Sequence, residues 1–373
     1  MNNQPNYNKQ QGVSLVELMI SLVISSLLML GVFEVFLGSS NTDRVAHAFA
    51  RIQENGRLAM DILSRNIRMA GYQGCIDPAL IDMNIIADDP PTIDLGNDGI
   101  KGYETDSTTW NTVNRNDDLD SITGVPSGSD VVYVQYVSPS GVNVVCNGNG
   151  ITSCEAVNAN IKINDNSVGL NKYDIAIVSD CENADMFRIV NMIGDANGDG
   201  YTTLAHSNSH NSSNNLSKPY DEDAQVMTFE ALAYYVKDTG RNNAHGEDIY
   251  SLYHFDATYH DPNVSTITGR EQELVEGIEQ LQILYGERLA TGNMRFVPAD
   301  GSGLDFADVE AVRLSVLVAS TEPVLQADDN KTYKLLETDV EPDGATLPET
   351  VHPDDRRLRQ IFSSTIYLRN MGT

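Results

Sequence analysis

Positive charge is scarce in this sequence. Its 373 residues include 24 Lys and Arg against 53 Asp and Glu, a formal net charge of −29 at pH 7. Proteins that bind nucleic-acid phosphates need clustered cations, so this balance argues against a nucleic-acid partner. It favours a soluble, self-repelling surface outside the cytoplasm, although net charge identifies no fold.

Catalytic motifs are missing as well. No G-x-S-x-G elbow, phosphate-binding loop or dinucleotide fingerprint occurs. The stretches 245–248 and 254–261 combine His with acids, but nothing in the pattern orders them, and paired acids are expected by chance at this acid content. His206 and His210 are four residues apart in an Asn/Ser-rich segment without helical periodicity, so we do not expect them to bind metal. The sequence makes no case for an enzyme.

One long apolar run is present, from Leu18 to Phe33, interrupted only by three serines and a glycine. Gly12 precedes this run, whereas an ordinary secretory signal is cut after its apolar region. Cutting after Gly12 would therefore leave the apolar helix on the mature protein. The 25 residues from Val13 to Leu37 are long enough to span a bilayer, and Lys9 would hold the leader on the cytoplasmic side.

Glu17 is the one carboxylate at the start of this run. A charge close to hydrocarbon is costly and usually has a partner. The alternative is that Glu17 only marks the lipid boundary, because charges at helix ends can reach towards water. Its spacing from Gly12 favours a paired role.

The helical pattern continues well beyond the span. Apolar residues recur at three- and four-residue steps opposite five arginines; they are Val45, Ala48, Phe49, Ile52, Ala59, Ile62, Leu63, Ile67 and Ala70. Gly56 is a tolerated weak point, and Gly71 ends the pattern as a C′ glycine would. We predict one helix over 13–70, about 85 Å long. Its second half is apolar on one face only, so that face must cover something, most simply a sheet.

Strand patterns dominate the remainder. The predicted strands are Val131–Val137, Val142–Cys146, Tyr173–Ser179, Met186–Ile193, Val226–Val236, Ile249–Phe255, Leu281–Tyr285, Val309–Ala319 and Ile361–Leu368, with a short helical turn over Leu274–Leu281. The segments 77–130, 205–218 and 327–357 are predicted as long polar insertions, the second of them a solvated loop. One N-terminal helix followed by strands implies an α+β fold, with the half-helix on one face of an antiparallel sheet.

Four cysteines occur, an even number that favours disulfides in an exported domain and allows three connectivities. Cys146 and Cys154 flank a short loop, Cys75 follows the helix, and Cys181 follows a strand. We predict the pairs Cys75–Cys181 and Cys146–Cys154. Free buried thiols are the alternative, and no Cys/His cluster suggests zinc.

A calcium loop is one interpretation of residues 195–201. Asp195, Asn197 and Asp199 provide oxygens at positions 1, 3 and 5, and Tyr201 would contribute a carbonyl at position 7. Position 12 should be Glu but is His206, so a ligand would have to come from elsewhere. An ordinary hairpin turn remains the alternative, because Asx-Gly runs are common in turns. No cofactor is required by the sequence.

The N-terminus resembles the class III signal of type IV prepilins: Gly12 lies at the cut, Ser14 is the second mature residue, and Glu17 is the fifth. Val13 departs from the usual Phe, which the processing enzyme of that family tolerates. The segments 173–189, 273–286 and 365–370 are similar to the minor pilin PilW family.

This resemblance implies a pilin-like fold and four regions. They are a leader over 1–12, a transmembrane and filament-core half-helix over 13–38, an amphipathic half-helix over 39–70, and a β-rich head over 71–373. It also implies cleavage by prepilin peptidase between Gly12 and Val13, N-methylation of Val13, and pairing of Glu17 with the amino group of a neighbouring subunit.

The implied role is that of a minor pilin that primes type IV pilus assembly and stays at or near the fibre tip, serving twitching motility and cell adhesion. The expected partners are other minor pilins, the major pilin and a tip adhesin. The chain would first sit in the inner membrane, with its N-terminus cytoplasmic and its head periplasmic. Two alternatives remain: a J-type pseudopilin of type II secretion, and a membrane-tethered calcium-binding adhesin module.

Overall fold

The computed structural model describes residues 12, 14–76, 82–91, 95, 99–105, 119, 122–146, 159–194, 200–259, 270–343 and 350–371. Within these ranges the chain forms one long α-helix followed by eighteen strands. This is the α+β arrangement that the sequence predicts, with a long N-terminal helix and a sheet-rich head.

The helix α1 covers Leu15–Met69, 55 residues. It begins after Ser14, whose backbone is extended, and it ends as Ala70 leaves the helical conformation. Gly71 follows with φ +72°, a left-handed conformation that favours glycine. The N–H of Gly71 donates to the carbonyl of Gln135 at 2.9 Å, so the helix end is joined to a strand. The predicted helix and its glycine stop are confirmed.

The strands, in chain order, are β1 Asn84–Ile85, β2 Ile100–Tyr103, β3 Val131–Asn143, β4 Asn160–Ile163, β5 Ile175–Ser179, β6 Ala184–Arg188, β7 Asn191–Ile193, β8 Thr202–Ala205, β9 Gln225–Asn242, β10 Asp248–Asp256, β11 Arg270–Glu276, β12 Ile278–Arg288, β13 Met294–Val297, β14 Val309–Ala319, β15 Tyr333–Leu335, β16 Thr338–Pro342, β17 Val351–His352 and β18 Arg359–Tyr367.

The largest sheet has eight strands and is built on the 18-residue strand β9. Strand β3 pairs with one side of β9, while β5 and then β10 pair along the other side. Strands β2, β6, β11 and β1 extend the sheet. All of these pairings are antiparallel except β1 with β6.

A second, four-stranded antiparallel sheet runs in the order β13-β12-β14-β18. The buried face of α1, the second sheet and one face of the large sheet enclose a common apolar core, with Leu63, Val134, Leu281 and Val316 among its members. Two small sheets, β15-β16-β17 and β4-β8-β7, complete the described head. The described strands therefore form four sheets, where the sequence predicts one antiparallel sheet.

The predicted helical turn over Leu274–Leu281 is wrong. These residues belong to β11 and β12, separated by Gly277 at φ +83°. A Cβ on Gly277 would lie 2.6 Å from the carbonyl oxygen of Ala319, so the break requires glycine. The apolar spacing that suggested a helix arises because β12 is buried on both faces, and such strands lose their alternation.

Two predicted strands also have different boundaries. Val131–Val137 and Val142–Cys146 were expected as separate strands, but β3 runs through to Asn143 with a register shift between Val137 and Gly141. The predicted strand Met186–Ile193 is divided into β6 and β7, which lie in different sheets. Sequence patterns place such boundaries poorly because bulges and sheet changes depend on partner strands.

The predicted insertions contribute to the structure. Segment 77–130 includes β1 and β2, and segment 327–357 forms the sheet of β15 to β17. The segment 205–218 was expected as a solvated loop, yet His206 and Asn211 in it are buried. The side-chain oxygen of Asn211 accepts the N–H of Arg188 at 2.7 Å, and its amide donates back to the carbonyl of Arg188. This segment is therefore anchored to the core by two side chains, whereas Asn208, Asn214 and Asn215 are exposed, as predicted for a solvated loop.

Candidate functional site

The N-terminal stem of α1, residues 15–37, is exposed along its whole length. It is the one candidate membrane span among the described residues, by length and composition. Its large apolar side chains include Leu22, Leu30 and Phe33, which are 62%, 65% and 59% exposed. An apolar surface of this extent marks a site covered by lipid or by other proteins. The stem is therefore the principal candidate interface.

Polar groups in the stem are adapted to an apolar surrounding. The hydroxyl of Ser21 donates to the carbonyl of Leu18 at 2.9 Å, and that of Ser26 donates to the carbonyl of Val23 at 2.8 Å. A hydroxyl that bonds to its own helix can be buried at lower cost. Glu17 is exposed in the first turn, where a carboxylate also suits the helix dipole. Gly12 is exposed, and Val13 lies outside the described residues.

The second half of α1 is fixed to the head by its buried face, which consists of Ala48, Ile52, Gly56, Ala59, Leu63 and Ile67. Gly56 was predicted as a tolerated weak point, but the structure gives it a packing role. A Cβ at this position would lie 2.3 Å from Cε2 of Phe362, a residue of β18. The missing side chain allows the Phe362 ring to approach the helix backbone.

Polar contacts fix the helix along its length. Near its middle, Arg44 donates to the carbonyl of Pro323 at 2.9 Å. Asn55 then donates to the carbonyl of Glu276 at 2.9 Å, which reaches the junction of β11 and β12. Near its end, the hydroxyl of Tyr136 donates to the side-chain oxygen of Asn66 at 2.8 Å. These bonds attach the second half of the helix to the head at three points.

A disulfide joins Cys75 to Cys181, as the sequence predicts. Cys75 lies six residues beyond the end of α1, and Cys181 follows β5, so the bridge attaches the helix terminus to the large sheet. Cys146 is also disulfide-bonded. Cys154 lies outside the described residues, so the Cys146–Cys154 pairing stays a prediction.

The outer face of the amphipathic half-helix is basic. Arg51, Arg57 and Arg68 are exposed, whereas Arg65 pairs with Asp61 at 3.0 Å. Beside this face is a groove of about 490 Å³ between the helix and residues 319–324. His47 and Arg51 line it on the helix side, and Glu322 lines it on the head side. Residues 71–373, in contrast, contain 48 Asp and Glu against 18 Lys and Arg.

The proposed calcium ligands Asp195, Asn197 and Asp199 lie outside the described residues. Tyr201 is described and precedes β8, with the Lys162 ammonium 4.6 Å from the centre of its ring. His206, at the twelfth position of the loop, is buried against Phe187 with ring centres 5.2 Å apart. Burial lowers the pKa of His206 to about 4, so this imidazole is neutral at physiological pH. The calcium loop at 195–201 stays a prediction.

Two buried clusters of ionisable side chains were missed by sequence reasoning. One contains Arg357 and Arg359 with Glu279, Asp329 and Asp355, all essentially buried. The other is a carboxyl pair, Glu104 and Asp130. Burial and the neighbouring Glu104 carboxyl raise the pKa of Asp130 well above its usual range. Sequence patterns indicated neither cluster, because the acids Glu279, Asp329 and Asp355 come from separate parts of the chain, as do Glu104 and Asp130.

A long N-terminal helix, exposed and apolar in its first half and packed on a sheet-rich head in its second, defines a pilin-like protein. Comparison with protein families agrees with this description of the fold. Residues 233–370 match the family described as Type IV Pilus-assembly protein W, and residues 7–33 match the Prokaryotic N-terminal methylation motif. The chain is therefore similar to type IV pilus-assembly proteins over part of its head, and its N-terminus is similar to prepilin-type signals. No curated protein sequence and no solved structure matches the chain.

Proposed function

We propose that this chain is a minor pilin that primes type IV pilus assembly and stays at or near the tip of the fibre. The observation that carries the proposal is the fully exposed apolar stem of residues 15–37, continuous with a half-helix that is locked to the head. A free stem of this kind needs a partner that covers it on all sides. A bilayer supplies this before assembly, and a bundle of pilin helices supplies it afterwards.

The proposed path begins in the inner membrane, with the N-terminus cytoplasmic and the head periplasmic. Prepilin peptidase cuts between Gly12 and Val13, and the new amino group of Val13 is methylated. On leaving the membrane, the stem packs against helices of other minor pilins and of the major pilin. Glu17 then accepts a hydrogen bond from the charged amino group of a neighbouring subunit, which offsets the cost of burying its carboxylate.

The position at the tip rests on the size and charge of the head. The head, residues 71–373, contains many more residues than the helix and has a strong negative net charge. Such heads repel one another, so they are poorly suited to a tightly repeated fibre wall. A single copy at the fibre end avoids this repulsion and presents the loops to a tip adhesin. The similarity of residues 233–370 to type IV pilus-assembly proteins favours a structural role over a catalytic one.

Mass spectrometry of sheared, purified pili tests this proposal. We expect the chain at far below one copy per major pilin, with a mature N-terminus at methylated Val13. Its deletion should reduce pilus number and abolish twitching while the export of secreted proteins continues. The reverse phenotype would instead support the J-type pseudopilin, and a retained leader would support a tethered adhesin that never enters a filament.

A further inference from the structure

A small cavity inside the head is a second candidate binding site, and it does not involve the helix. It measures about 100 Å³ and lies where three parts of the fold meet. Glu104 follows β2, Asp130 precedes β3, and both reach the cavity from the large sheet. Gln282 of β12 belongs to the second sheet, and the turn Leu336–Thr338 belongs to the insertion between β14 and β18.

The two carboxyl groups lie within hydrogen-bonding reach of each other. Asp130 is only 3% exposed. Its Oδ2 accepts the N–H of Ile283 at 2.6 Å, but its Oδ1 has no hydrogen-bond donor. Asp300, the further charge that acts on both groups, is also negative. Two adjacent buried carboxylates strongly destabilise the fold unless a positive charge lies between them.

Neutral oxygens face the same cavity. The hydroxyl of Thr338 donates to Oε1 of Gln282 at 2.6 Å. The lone pairs of this hydroxyl oxygen therefore remain available to bind a cation. The amide nitrogen of Gln282 donates to the carbonyl of Gly128, which directs Oε1 rather than nitrogen to the Thr338 side. Carboxylate, amide and hydroxyl oxygens are the ligands of hard divalent cations.

The turn that covers the cavity has an unusual backbone. Leu336 has φ +56°, a left-handed conformation that is strained for a residue other than glycine. This conformation lets β15 return directly into β16 and brings Glu337 and Thr338 to the cavity. Glu337 is exposed and lines the opening to solvent.

We propose that Glu104, Asp130, Gln282 and the Leu336–Thr338 turn form a site for one divalent cation of the calcium class. The described residues gather no three His, Cys, Asp or Glu side chains around one point, so this ion takes two carboxylates and completes its shell with neutral oxygens and water. Sites with few charged ligands bind calcium weakly, with dissociation constants of about 10⁻⁴–10⁻³ M in extracellular modules. The ion joins both sheets and the insertion.

Thermal unfolding of the full-length mature protein in detergent micelles, at pH 7, tests the proposal. With about 10 mM calcium in place of EDTA, we expect Tm to rise by a few degrees, because the ion binds only the folded state. Magnesium should raise Tm less, since it gives up its water reluctantly. Calorimetric titration should give one calcium bound at this site.

Matched variants assign the effect. Asp130→Asn and Glu104→Gln should each abolish the calcium-dependent rise in Tm. If Asp130→Asn does not fold, Glu104→Gln alone provides the test. The exposed Asp328→Asn should keep the rise. A chain with both Asp195→Asn and Asp199→Asn should also keep it, which separates this cavity from the 195–201 loop.

Two results would overturn the proposal. In one, calcium leaves Tm of the wild-type protein unchanged while Tm increases from pH 7 to pH 5, which means that the pair shares a proton instead. In the other, the calcium effect persists in both Glu104→Gln and Asp130→Asn, which places the ion elsewhere.

Discussion

The ring of Phe362 in β18 occupies the space that a side chain on Gly56 of the helix would need. The contact joins α1 to β18, the last strand of the head. Any change there alters how firmly the stem is held.

We predict that Gly56→Ala lowers the free energy of unfolding by up to about 2 kcal/mol. Overpacking costs about 1–3 kcal/mol, and the better helix propensity of alanine returns about 1 kcal/mol of it. Chemical denaturation of the full-length protein in micelles measures this. Gly38→Ala is the matched control, because nothing lies within 4 Å of a Cβ there. Adding Phe362→Leu should restore part of the loss; equal effects at positions 38 and 56 would contradict the packing role.

Glu17→Ala should leave membrane insertion intact but reduce the number of pili several-fold. The apolar length of the stem is unchanged, so the chain still spans the membrane. The variant lacks the carboxylate that would pair with a neighbouring amino group during assembly. Electron microscopy of pili and fractionation of membranes measure the two effects. Glu34→Ala, at the other end of the stem, is the control. Normal piliation in Glu17→Ala would count against the pairing.

Loss of the Cys75–Cys181 disulfide should destabilise the head by about 2–5 kcal/mol. The bridge closes a loop with a sequence separation of 106 residues, and long loops lose the most unfolded-state entropy on cross-linking. Denaturant unfolding should give the same loss for Cys75→Ser, Cys181→Ser and the double variant. Cys146→Ser should cost less if its partner is Cys154, because that loop is short. A loss in the double variant equal to the sum of the two single losses would argue against the bridge.

Asp355→Asn should cost about 3–5 kcal/mol at pH 7, since it leaves Arg359 and Arg357 partly uncompensated in a buried site. Burial acts to raise the pKa of Asp355, but the hydrogen bond and charge of Arg359 outweigh it and lower this pKa. The group therefore stabilises the fold above its unfolded pKa of about 3.8.

Urea unfolding between pH 7 and pH 3 checks both the size and the sign of this effect. The difference between wild type and Asp355→Asn should be constant near neutral pH and should shrink as pH falls below about 3.8. The neighbouring exposed residue provides the control: Asp354→Asn should change stability by no more than about 0.5 kcal/mol. A difference that grows on acidification would contradict the assignment.

Much of the fold could be predicted where the signal was local. Helical periodicity and Gly71 defined α1 to within two residues at each end, and β-branched runs located the cores of β5, β9, β10 and β14. The Cys75–Cys181 pair followed from the positions of the two residues at element ends. The helical turn over Leu274–Leu281 failed because strands buried on both faces carry no alternation, so period alone could not separate strand from helix.

The sequence by itself determined the features that depend on neighbours along the chain: the processing motif, the apolar stem, the one-sided half-helix and the excess of acid. Only the tertiary structure decided which distant residues meet. It placed Phe362 on Gly56, enclosed Arg359 among Glu279 and Asp355, and set Glu104 beside Asp130. The physical reason is that such contacts are made across sheets, where pairing and burial arise from the whole fold and leave no periodic trace in the chain.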